Sequence, residues 1–193
     1  MRKSIRIDKP KLIIGEGTEE RIFFSTLIKY LEIEDIQVES YEGKGNLGKF
    51  LKSLHLIPGY QQLQSLGITR DADDSFESAS ESIDNFISNS NFSTTGTVKI
   101  TKFIMPDNGS PGMLEDLCLK SIEAKEIQCA ETFLECIYNC CQRTPKNLAK
   151  AKIYTWLASQ VDPGKRLGEA AQSGYIKLED KAFKQLGEFI ENL

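Results

Sequence analysis

Four apolar runs alternating with helical stretches constrain the fold of this chain more than any other feature. "KLIIGEG" reads as a buried strand ending in glycine, and "TEERIFFSTLIKYLEI" follows, with Ile22, Phe23, Leu27, Tyr30 and Leu31 spaced along one helical face. "IQVESYEG" alternates apolar and polar residues as a half-buried strand does, and "NLGKFLKSLHL" is a helix stopped by Pro58-Gly59. "LQSLGITRDAD" supplies a third strand. "SFESASESIDNFISNSN", although rich in serine, keeps Phe76, Ala79, Ile83, Phe86 and Ile87 at helical spacing. "TVKITKFIMPD" is a fourth strand, closed by a Pro-Asp-Asn-Gly turn. Such alternation builds a mostly parallel sheet covered by helices on both faces, because parallel neighbours need a crossover connection.

From Met113 onward the pattern is helical: "MLEDLCLKSI", "CAETFLECIYNCC", "NLAKAKIYTWLASQ" and "DKAFKQLGEFIEN". The expected architecture is therefore α/β, a mostly parallel four-stranded sheet flanked by helices with a helical C-terminal part. At 193 residues the chain fits a single domain, with a core over about residues 8–125 and a helical elaboration over about 126–193.

A formal charge of −4 argues against coating nucleic acid by net charge alone. The charge is segregated, however. Residues 71–91 hold six acids (Asp71, Asp73, Asp74, Glu77, Glu81, Asp84) and no Lys or Arg, whereas residues 143–166 hold six basic residues against Asp162. The basic start, "MRKSIRIDKPKLII", lacks the apolar stretch of a signal peptide, and no segment approaches the roughly 20 apolar residues of a membrane span. A cytoplasmic protein without a membrane association is expected, and five cysteines fit reduced thiols better than a disulfide framework.

The segment "LGITRDADDS" places three aspartates within four positions at the end of a buried strand. In an open α/β sheet, ligands sit beyond the carboxyl ends of the strands, where strand order reverses. If the first and third strands are neighbours, Glu16 and Glu20 of "GEGTEE" face Asp71 and Asp73 across one crevice. An extended chain would put Asp71 and Asp73 on the same side, with Ala72 turned away. Four crowded carboxylates repel one another unless a cation is present, and hard oxygens suit Mg²⁺ or Mn²⁺. A bland explanation competes: acids are favoured in the first turn of a helix, and Asp73 or Asp74 could cap the helix beginning near Ser75.

Other motifs carry less. "GKGNLGKF" fits the phosphate-binding G-x-x-x-x-G-K with Lys49 in place, but Phe50 stands where a hydroxyl should hold Mg²⁺. A dinucleotide site would use one acid on the ribose, not three aspartates. The glycines read best as the start of a helix, with Lys44 and Lys49 as candidate phosphate contacts. Cys129, Cys136 and Cys140 share a helical face and predict buried thiols, since no histidine lies near to complete a zinc site. His55, the only histidine, is expected at the surface or partly packed. Trp156 reads as core, although it and Tyr154 could stack on bases beside Lys150 and Lys152.

"IIGEGTEERIFF", "LGITRDADD" and "FIMPDNGSPGMLEDL", in that order, resemble the Toprim-like (Rossmann-like) proteins, in particular the small stand-alone DUF3226 group. The likeness includes "KAKIYTWLAS" and covers most of the chain. It implies that Glu16 is a metal ligand or general acid/base and that Asp71 and Asp73 are paired metal-binding aspartates. Glu20 matches a second metal-binding glutamate of the overcoming-lysogenization-defect (OLD) nucleases. In that branch an acid on a later helix serves a second ion, which maps to Glu115, and a late lysine near the scissile phosphate maps loosely to Lys152. The resemblance thus implies Mg²⁺-dependent phosphodiester chemistry on DNA or RNA, with a homodimer or a protein encoded nearby as further partners. The alternative is a non-catalytic module of a defence or toxin-antitoxin system that binds nucleic acid or protein. The companion ATPase, topoisomerase and primase domains of the wider class have no counterpart here, and function transfers less surely than fold.

Overall fold

The computed structural model describes residues 5–90 and 98–193. Residues 1–4 of the basic start, Asn91 of the serine-rich stretch and Thr97 of the fourth apolar run lie outside it. The strands are β1 (Lys11–Gly15), β2 (Ile36–Ser40), β3 (Ser65–Asp71) and β4 (Lys99–Met105). They pair in the order β2-β1-β3-β4, and every pairing is parallel. The first three crossover segments contain α1 (Thr18–Tyr30), α2 (Leu47–Ser53) and α3 (Phe76–Ser88). The expected mostly parallel α/β sheet is what the structure has.

The order fixes which face each helix covers. The chain steps from β1 outward to β2, then returns across β1 to β3 and on to β4. Right-handed crossovers then put α1 on one face and α2 and α3 on the other. Alternation along the strands divides the core accordingly. Leu12, Ile14, Leu66, Ile68 and Ile104 pack with Leu47, Leu51, Ala79 and Ile83, whereas Ile13, Phe103 and Met105 pack with Phe23, Phe24 and Leu27.

The later helices are α4 (Leu114–Leu119), α5 (Ala124–Cys141), α6 (Leu148–Ala158), α7 (Leu167–Gln172) and α8 (Lys184–Glu191). Ile153, Trp156, Leu157, Leu167, Leu186 and Ile190 join the cluster on the α1 face, so the helical part completes the sheet's core. Gly168 permits the closest approach. A Cβ there would lie 2.8 Å from the Glu19 carbonyl and 2.8 Å from Ile22 Cβ, so α7 rests directly on α1. Trp156 is buried and donates from Nε1 to Glu126 (2.6 Å), in line with a core role.

The cysteine expectation is overturned. Cys129, Cys136 and Cys140 are free and exposed. On α5 the apolar residues withdrawn from solvent are Ile127, Ala130, Leu134 and Ile137, and α5 packs against α6. The thiols lie on a different stripe of the helix. His55 is exposed, on a short 3₁₀ turn (Leu54–Leu56). Among the described residues no helix is long and apolar enough to cross a membrane.

Candidate metal centre at the carboxyl pole of the sheet

β1 and β3 run side by side with Ile14 opposite Ile68. Glu16 is the first residue beyond β1 and Asp71 the last residue of β3. Both therefore leave the sheet at one pole, in the crevice where strand order reverses. The Glu16 backbone is pinned by the turn after β2: its carbonyl accepts from the Gly43 N–H (2.7 Å) and from the Ser40 hydroxyl (3.1 Å). Gly43 adopts φ 109°, a region other residues avoid, so this turn demands glycine. The glycine-rich segment goes on into a 3₁₀ turn (Lys44–Asn46) and α2, as a helix start should.

Asp71 and Asp73 are held differently. Asp71 Oδ1 accepts the backbone N–H of Leu114 (3.0 Å) at the start of α4. Ala72 is buried and donates to the Met105 carbonyl (3.1 Å). The extended path expected through Asp73 ends at Asp71, because Asp73 has φ 52°. Asp73 forms an antiparallel bridge to Gly112, with N–H···O distances of 2.9 and 2.7 Å. Its carboxylate meets Lys44 Nζ at 2.5 Å. Neither Asp73 nor Asp74 caps α3; Ser75 does, accepting from the Ser78 N–H (3.2 Å).

Two helices add acids. Glu20 lies in the first turn of α1 and folds back over Gly17, where a Cβ would stand 2.8 Å from its Oε2. Glu19, beside it, turns away and accepts from the Gly168 N–H (3.0 Å). Glu115, on α4, is buried and lies 3.7 Å from Lys150 Nζ.

The electrostatics confirm the crowding. Burial, then Glu115, Glu20 and Glu16, push the Asp71 carboxyl up to about 8, against the Leu114 hydrogen bond. Burial, then Glu20 and Asp73, raise Glu16, with Arg70 and Lys44 opposing. Burial also raises Glu115, which Lys150 counters. Partial burial pulls the Lys150 ammonium down, but Glu115, Asp71 and Glu20 outweigh it and hold it above its ordinary value. The acids thus form one coupled group: Lys150 offsets Glu115, Lys44 and Arg70 offset Glu16, and both Glu16 and Glu20 act on Asp71.

Five of the candidate residues therefore share one pole: Glu16, Glu20, Asp71, Asp73 and Glu115. Lys44 joins them through Asp73. Lys49 instead lines a groove of about 560 Å³ with Gly45, Gly48, Lys52, Phe86 and Asn89, between α2 and α3. Lys152 Nζ is 2.5 Å from Glu131 of α5, and the lysine turned to the pole is Lys150. Sequence reasoning places Lys150 only beside a base-stacking ring and misses Arg70 and Tyr41 altogether. Arg70 is buried, donates from Nη1 to Ser82 Oγ (2.9 Å) and has no hydrogen-bond partner for Nε among the described residues. Tyr41 is buried, donates to the Thr69 carbonyl (3.1 Å), and is driven upward by burial and by Glu16.

Among the described residues, no three His, Cys, Asp or Glu side chains converge on a point where one ion could sit. The donor chemistry nevertheless fits a hard dication. All the candidates are carboxylates, and their mutual repulsion is the penalty that such an ion removes.

A parallel sheet in the order β2-β1-β3-β4, with an acid just beyond its first strand and an Asp-x-Asp beginning at the last residue of its third, defines an all-parallel α/β protein with an acidic carboxyl pole. The chain belongs to the family described as "Protein of unknown function (DUF3226)", which it matches over residues 10–193. No curated protein matches it. Among solved structures, it is similar to the C-terminal region of the Burkholderia pseudomallei OLD protein, at 12% identity and a TM-score of 0.48, covering 96% of this chain and 98% of that one. It is also similar to the C-terminal region of the Xanthomonas campestris pv. campestris OLD protein. There the identity is 16% and the TM-score 0.41, with 95% of this chain and 93% of that one covered.

Proposed function

We propose that the protein carries out Mg²⁺- or Mn²⁺-dependent cleavage of phosphodiester bonds in DNA or RNA, as a Toprim-type nuclease. The observation that carries this reading is the gathering of Glu16, Glu20, Asp71 and Glu115 at the carboxyl pole from the ends of β1 and β3 and from α1 and α4, where burial and the other three acids push the Asp71 carboxyl up to about 8. Gathering like charges from separate segments costs stability, and a bound cation would relieve the part of that repulsion which Lys44, Arg70 and Lys150 leave uncompensated.

Glu16, Glu20, Asp71, Asp73 and Glu115 are the carboxylates that would draw in around a bound ion. When bound, divalent cations supply charge stabilisation at a phosphoryl oxygen and a more acidic water. The chain's own residues do the rest. Glu16, raised by burial and by Glu20, holds a proton at its carboxylate more readily than an exposed glutamate does. Lys150 Nζ, on the rim beside Glu115, offers positive charge to a phosphate entering the crevice. Lys44 tethers Asp73, and Lys49 stands farther out along α2 as a contact for a more distant phosphate.

The test is incubation with single- and double-stranded DNA and RNA in Mg²⁺, Mn²⁺ or chelator. Metal-dependent cleavage abolished by Asp71→Ala and by Glu16→Ala supports the reading. The second reading, a non-catalytic binding module, draws on the open arrangement of the carboxylates. Binding that survives both substitutions with no cleavage would favour it.

A further inference from the structure

The two aromatic residues near the middle of α6 point different ways. Trp156 is buried and satisfied by Glu126, whereas Tyr154 is 39% exposed and its hydroxyl has no hydrogen-bond partner among the described residues. Tyr154 lies one helical turn from Lys150, on the same face of α6. Lys150 borders the pole through Glu115, 3.7 Å away. Arg166, at the start of α7, lies 4.0 Å from Glu19, next to Glu20 in the first turn of α1. Burial, Glu115 and Glu19 push the Tyr154 phenol up, while Lys150 and Arg166 pull it down.

We propose that Tyr154, flanked by Lys150 and Arg166, is a stacking platform for one unpaired nucleobase, so that the strand presented to the acidic pole is single-stranded at that point. The inference rests on the nucleic-acid reading above and names its substrate class. A pole rich in carboxylates repels a polyanion, so a strand that reaches it needs cations on the rim. Lys150 and Arg166 supply them beside a half-exposed ring. A ring between two cations suits a ligand with a planar face and flanking phosphates, the combination by which single-stranded nucleic acid is held. In a duplex both faces of each interior base are already covered, so a base that stacks on Tyr154 has left the helix. Neither cation is buried, so both remain available to phosphates at little desolvation cost.

The test is fluorescence anisotropy with labelled single-stranded DNA, single-stranded RNA and the matching duplexes, in Ca²⁺ and in chelator. The wild-type chain is expected to bind a single strand more tightly than its duplex. Tyr154→Ala should weaken single-strand binding by about tenfold or more, and Tyr154→Phe should retain it. Lys150→Ala or Arg166→Ala should lessen the dependence of affinity on salt for every substrate. Circular dichroism checks that each variant is folded, and the Phe variant separates loss of the ring from loss of the fold. Undiminished single-strand binding by Tyr154→Ala, a preference for duplex, or no binding of either form overturns the proposal. Metal-dependent cleavage that persists alongside such a result would leave the nuclease reading standing. Ring-dependent binding without cleavage under any metal would leave the platform and remove the nuclease.

Discussion

Asp71 Oδ1 and the backbone N–H of Leu114 meet at 3.0 Å, joining the end of the third strand to the start of α4, forty-three residues later in the chain. The bond favours the ionised carboxylate, while burial and Glu115, the next residue of α4, oppose it more strongly. Asn in place of Asp71 keeps an oxygen for the Leu114 N–H and removes the charge. In chelator, Asp71→Asn should therefore melt at a higher temperature than the wild-type protein. Its midpoint should no longer rise on adding Mg²⁺ or Mn²⁺, whereas the wild-type midpoint should, because an ion held by the native state alone stabilises it. Thermal melts of the two proteins with and without each ion check both halves.

The pH dependence follows with a definite sign. Asp71 titrates near 3.8 when unfolded and at about 8 in the native protein. Below 3.8 both states carry the proton. Between those values the native state keeps a proton that the unfolded chain has released, so stability falls as pH rises through the window. Glu16 and Glu115, also raised, act in the same direction. Urea unfolding in chelator should show declining stability from mildly acidic pH to about 8, with a flatter profile for Asp71→Asn. Mg²⁺ affinity should instead increase as pH approaches 8, since the ion competes with that proton.

Lys150 and Lys152 should separate cleanly. On a helix, two positions correspond to a rotation of about 200°, so the neighbours serve opposite sides of α6. Lys150→Met should lower phosphodiester cleavage without preventing metal binding. Lys152→Met removes a partly exposed pair with Glu131 and should cost less than about 1 kcal/mol of stability, leaving cleavage intact. Single-turnover rates and urea midpoints for the two variants decide between them.

Gly168→Ala should destabilise the fold by about 1–3 kcal/mol, because its added methyl would press on the Glu19 carbonyl and on Ile22. Gly164→Ala, where a Cβ meets nothing within 4 Å, is the control and should be close to neutral. Urea denaturation of both variants measures the difference.

Much of the pole could be read from the chain because it depends on strand order. "KLIIGEG" and "LGITRDAD" are buried runs ending in acids, and a parallel sheet that reverses direction at its first strand must set those ends side by side. The details that escaped depend on rotation and on tertiary contact. Asp73 leaves the extended path because Gly112 pairs with it, a contact no local pattern announces. "AKAKIY" offers two lysines, and only the phase of α6 selects Lys150. The thiols of α5 share a helical face as expected, yet burial went to the neighbouring stripe once α6 settled there. Arg70 reads as the polar end of a strand, but α3 covers it.

The loop joining β4 to α4 grips both aspartates: Gly112 by its backbone at Asp73, and Leu114 by its N–H at Asp71. A single inserted or deleted residue between Pro106 and Met113 would shift these two carboxylates together rather than one at a time. The position of this pair relative to Glu16 and Glu20 is thus geared to the length of one surface segment.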